Sequence, residues 1–115
     1  MTARVVVPEQ RLLRDVFADE LSAKTLAVLA AFDVEPLRRQ LRQRIDGALG
    51  VLSYRERGVL EMCYGLGDGH AYTLAEAAYV FKLSRKRIAQ LRLKAIKKLH
   101  RHGEELRSFL GGLER

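Results

Sequence analysis

The chain has no tryptophan, one cysteine and two prolines in 115 residues, and its longest apolar run, Leu26 to Phe32, is seven residues. A helix that crosses a bilayer needs about 20 apolar residues, so no span is expected. A lone cysteine, Cys63, cannot close an internal disulfide, and the N-terminal stretch with Arg4 and Pro8 lacks the basic-then-apolar order of a secretory signal. Those absences make a cytoplasmic, reducing compartment the expectation. Alternation with period two is also scarce, Val5 to Val7 being the one short exception, so there is little to build a sheet from. At this length the chain fits one domain with one core, not a multidomain enzyme.

Carboxylates are absent where they matter most. Between Lys82 and His102 there are nine Lys or Arg and no Asp or Glu, whereas the other 94 residues carry 12 basic and 14 acidic side chains. The net charge of +7 therefore sits entirely in one stretch. Such a block is either a solvated face or a footprint for a polyanion, and its neighbours decide between the two.

Those neighbours read as helices throughout, giving an all-α fold with a C-terminal helix-turn-helix. Leu12, Leu13, Val16, Phe17 and Leu21 recur at helical spacing, and Leu26, Leu29 and Phe32 continue as a second stripe after a candidate cap at Ser22. One broken helix or two short ones fit this pattern. Pro36 suits the first turn of a further helix running from about Leu37 to Leu49, with Gly50 as its stop. Ser53 with Glu56 forms a capping box for a helix to about Tyr64, after which Gly65, Gly67 and Gly69 free the backbone to turn. A second capping box, Thr73 with Glu76, opens a short helix to about Phe81, and Ser84 caps a longer one through about His100.

A short helix, a tight turn and a long basic helix over residues 73–100 make the helix-turn-helix pattern. If the two helices cross, Ala77, Phe81, Leu83, Ile88 and Leu91 must face the crossing, with Ala78 allowing close approach. Arg85, Lys86, Ala89 and Gln90 then point outward from the first turns of the second helix, the part that enters a major groove. Arg and Lys match guanine edges and Gln matches adenine.

The segments SYRERGVLEMCYGLGDG (53–69), TLAEAAYVFKLSRKRIAQLRLKAIKKL (73–99) and LRSFL (106–110) resemble domain four of housekeeping-class bacterial sigma factors. The likeness spans about residues 37–110, and the YGLGDG loop, the Thr-Leu-x-Glu opening and the Ser-Arg-x-Arg-Ile-x-Gln segment occur in the family's order. The resemblance implies a domain that reads the -35 promoter element with its second helix and docks on the flap of the RNA polymerase β subunit. By position it assigns Arg85 and Gln90 to base contacts, Lys94 to a DNA-proximal lysine, and Thr73 with Leu74 to a helix start that meets phosphate. Ser84, Lys86, Arg87 and Ala89 complete the candidate DNA-binding set. The sequence departs from the family at Lys86, where an acidic base reader stands, at Ala89 for an arginine, at Arg92 for a glutamate and at Cys63 for a phosphate-contacting arginine. Lys82 replaces the usual turn glycine, which implies strain of about 1 kcal/mol if positive φ is kept there.

The expected organisation is an N-terminal helical extension over residues 1–35 and a domain-four-like unit over 36–115. With 115 residues there is no room for the sigma domains that grip core polymerase and melt the -10 element, so a stand-alone regulator is expected. It would recruit polymerase or work with a separate sigma-like or anti-sigma partner. The extension would cover the domain's own core or pair two chains through residues 9–32. The competing expectation is a protein-interaction module that binds polymerase or an anti-sigma-type partner without reading DNA. Gly65 to Gly69 lacks the preceding strand and following Lys-Ser or Lys-Thr of a phosphate loop, His100 and His102 suit a helix C-terminus or phosphates better than a metal, and Cys63 has no visible base. Neither a cofactor, a metal site nor an enzyme is expected.

Overall fold

The computed structural model describes residues 8–18, 20–30 and 35–113. Val5 to Val7 and Phe32 lie outside the described residues, as do the side chains of Leu26 and Leu29. Seven α-helices are described: α1 (Pro8–Phe17), α2 (Ala23–Ala30), α3 (Glu35–Ala48), α4 (Tyr54–Tyr64), α5 (Leu74–Phe81), α6 (Arg85–Arg101) and α7 (Glu104–Gly112), with a 3-10 turn at Leu49–Val51. No strand occurs among the described residues.

Hydroxyl caps set the starts of α2, α4, α5 and α6. Ser53 Oγ accepts from Glu56 N at 3.2 Å while Ser53 N donates to Glu56 Oε1 at 2.8 Å, and Thr73 with Glu76 repeats the pair at 3.1 and 3.0 Å. Ser84 Oγ accepts from Arg87 N and Ser22 Oγ from Thr25 N, so the break between α1 and α2 is a true restart. Gly65 ends α4 at φ 75°, in the left-handed region that glycine enters without penalty. α7 starts at Gly103 without a side-chain cap. A Cβ at Gly103 would lie 2.5 Å from the Leu99 carbonyl oxygen and 2.6 Å from the Phe17 ring, so the missing side chain admits α1 to this corner.

The core is built around α6, which packs on α1, α4 and α5, while α3 packs on α7. Ile88, Leu91, Ala95 and Leu99 of α6 are buried together with Val59 and Leu60 of α4, Ala77 of α5, and Leu106 and Leu110 of α7. The α1 stripe belongs to the same core, since Leu12, Leu13, Val16 and Phe17 are all buried.

Two polar links tie distant parts of the chain, and charge counting gave no sign of either. Glu56 is buried and takes a hydrogen bond from Lys98 Nζ at 2.8 Å in addition to its capping role. Glu20 accepts from Arg107 Nε at 2.6 Å and lies 2.7 Å from His100 Nε2, joining the α1 corner to α6 and α7. Burial pushes the Glu56 carboxyl up, but the bonds from Lys98 and Ser53 outweigh it and hold the group below its ordinary value of 4.5. A carboxyl whose pKa falls on folding contributes stability above its unfolded pKa and loses it as pH drops through the folded one. Glu56→Gln should therefore cost about 1–3 kcal/mol at pH 7, and the gap to the parent should close on acidification through and below the carboxylate range. Urea unfolding of both proteins at several pH values measures this.

Candidate nucleic-acid interface

The turn between α5 and α6 is made by backbone. Leu83 N donates to Ala78 O at 3.0 Å and Lys82 N to Tyr79 O at 3.4 Å, the pattern of a helix closed by a left-handed residue. That residue is Lys82, at φ 56° and ψ 44°, and it is the only non-glycine with positive φ among the described residues. Replacing it with glycine should raise stability by about 1 kcal/mol, seen as a higher midpoint in urea with an unchanged slope.

With this turn in place, the crossing residues fall as the spacing demands. Ala77, Ala78, Ile88 and Leu91 are buried, and Phe81 and Leu83 pack partly buried against them. The candidate DNA-binding residues lie outside that contact. Thr73 and Ser84 sit at their helix caps, Leu74 is half-buried, and Arg85, Lys86, Arg87, Gln90 and Lys94 are exposed, with Ala89 half-buried beside them.

The basic block divides into groups with different surroundings. Lys98 is engaged by Glu56, and Arg92 is half-buried near Cys63 and Tyr64. Among the described residues no carboxylate pairs with Arg85, Lys86, Arg87, Lys94, Lys97 or Arg101. These six cations spread over four turns of one helix, leaving an uncompensated positive face. Leu93 is 55% exposed on the same face, an apolar group among charges that the sequence reading passed over. Its signal was available, because Leu93 falls outside the 88, 91, 95, 99 series of buried positions.

Residues 48–101 match the family Sigma-70, region 4. The matched segment contains α4, the glycine-bearing loop, and the whole helix-turn-helix. Among similar proteins, RNA polymerase sigma factor SigA of Lactococcus lactis subsp. cremoris is 43% identical over 72 residues, 61% of this chain and 20% of that protein. SigA1 of Synechococcus elongatus is 46% identical over 65 residues, 56% and 16% of the two chains. SigA of a Bacillus species is 36% identical over 97 residues, 82% and 24%. The chain thus spans about a fifth of the length of these relatives. No solved structure matches significantly. The region 4 segment accounts for the exposed basic face, while α1, α2 and α7 lie outside the matched residues.

Cys63 is buried, and burial raises its thiol above the ordinary value of 9.0, the opposite of what a nucleophile requires. Among the described residues no group of His, Cys, Asp and Glu is arranged to hold a metal, and no helix is long and apolar enough to cross a membrane.

Proposed function

We propose that this protein is a DNA-binding transcription regulator of the sigma region 4 type, which reads a -35-like promoter element through α6 and works with RNA polymerase. The observation that carries this reading is the outward face of α6, with Gln90 and six cations that have no carboxylate partner among the described residues. Lys94, Lys97 and Arg101 supply affinity through phosphates, Arg85, Lys86 and Gln90 meet base edges, Thr73 and Leu74 approach the backbone, and Ser84, Arg87 and Ala89 shape the entry of the helix. Binding to duplex DNA, followed by fluorescence anisotropy from low to moderate salt, should show a log-log slope of about −4 to −5, as about four to six of the nine cations between Lys82 and His102, base-reading ones included, come near phosphates. A flat salt response overturns the reading.

A second contact, with the polymerase β flap, is favoured by a separate surface. An open groove of about 670 Å3 is lined by Tyr54, Met62, Tyr72, Val80 and Phe81 with the charged Arg57, Glu61 and Asp68 beside them, and Tyr54 is 88% exposed. Exposed apolar area of this kind fits a protein partner better than a phosphate. If flap binding persists when DNA binding is undetectable at low salt, the protein is an interaction module for polymerase or an anti-sigma-type partner. Pairing of two chains through residues 9–32 is disfavoured for α1, whose apolar side is buried within its own chain.

A further inference from the structure

The outward side of α1 is not neutral. Arg11 and Arg14 are exposed at i and i+3, on the side opposite the buried Leu12, Leu13, Val16 and Phe17, and both line an open groove of about 570 Å3 between α1 and α6. From α6 the groove takes Ala89, Arg92, Leu93 and Ile96. Ala89 and Leu93 border the outward face that carries Lys86 and Gln90, so the groove is a continuation of that face. The guanidinium of Arg11 rests 5.6 Å from the centre of the Tyr64 ring, which holds it beside the groove. The one carboxylate there, Asp15, already accepts a hydrogen bond from Tyr64 OH. Among the described residues no carboxylate pairs with Arg11, Arg14 or Arg92.

A helix seated in the major groove has a phosphate strand on each side, about 12 Å apart. α1 packs on one side of α6 and puts two exposed guanidiniums beside residues 89–96, its second and third turns. We propose that Arg11 and Arg14 of α1, with Arg92 of α6, form a second phosphate-binding site that takes the DNA backbone flanking the base-reading face. The inference rests on the proposal that α6 enters duplex DNA. It adds that the helix outside the region 4 match is part of the DNA-binding surface and lengthens its footprint. Arginine suits this role because its planar fork can hold two oxygens of one phosphate.

The test is equilibrium binding of the full chain to a 30-base-pair mixed-sequence duplex across a salt series, with hydroxyl-radical footprinting. Arg11→Gln/Arg14→Gln should bind roughly tenfold more weakly at about 0.1 M salt, with a slope shallower by about 1 to 2 and a footprint shorter on one flank. The charge-preserving Arg11→Lys/Arg14→Lys should recover most of the slope, which separates lost charge from a disturbed fold. If the parent binds with the steep slope and the Gln variant matches it in slope and footprint, the α1 site is wrong while DNA reading by α6 stands. An equal loss in the Lys and Gln variants also overturns it, because the effect would then not be one of charge. If the parent does not bind the duplex, the functional proposal fails first and this inference falls with it.

Discussion

Phe17→Asp should abolish the cooperative urea transition, or move its midpoint close to zero, as followed by circular dichroism. Phe17 is 1% exposed, its ring stacks edge-on against His100 at 6.1 Å, and the Arg107 guanidinium lies 5.0 Å from its centre. Removing a buried phenyl group alone costs about 3–5 kcal/mol. A carboxylate left in the cavity adds a desolvation penalty, and Arg107 is already committed to Glu20. Against a total stability of about 5–15 kcal/mol, the sum leaves little or nothing. Phe17→Leu, which keeps the site apolar, should retain a two-state transition at lower midpoint. A melt unchanged by the aspartate would mean that α1 does not dock on α6.

Lys86→Glu carries the largest expected effect on recognition. Lys86 is exposed in the first turn of α6 with no carboxylate partner among the described residues, and as a donor it should favour the O6 and N7 acceptors of guanine. Glutamate accepts only and would favour a cytosine amino group. A good specific contact is worth roughly 1–3 kcal/mol, so selection from random duplexes should return a change of preferred base at one step, with the steps beside it still set by Arg85 and Gln90. A uniform loss on every sequence, with a salt slope shallower by about 1, would make Lys86 a phosphate contact instead. Recovery of the ordinary housekeeping -35 hexamer by the parent protein would have the same meaning.

Local chemistry made the helix boundaries readable. The caps at Ser22, Ser53, Thr73 and Ser84 satisfy backbone groups within three residues, and so they show in a short window of sequence. The strain at Lys82 was legible through the resemblance, which supplied the expectation of glycine there. α3 begins two residues earlier than expected, at Glu35 rather than Leu37, with Pro36 in its first turn. What stayed hidden depends on contacts across the chain. Nothing local tells that Lys98 answers Glu56 at a separation of 42 residues, or that His100 meets Glu20 at 80. The placement of α1 beside α6 is of the same kind. Leu12 to Phe17 announced a buried stripe, but periodicity names no partner. α7 lacked a side-chain cap, so no local signal marked its start apart from the likeness of residues 106–110.

The junction of Phe17 with Gly103 and His100 also sets an order of events during synthesis. A ribosome adds about 5–20 residues per second, so the α1 stripe waits on the order of 4–17 s before the chain that covers it has been made. During that interval Leu12, Leu13, Val16 and Phe17 have no native cover from α6. The side of α6 that faces α1 is completed only when both ends of the fold have met. Until α6 has been made, the apolar stripe of α1 is therefore a surface that a chaperone can hold.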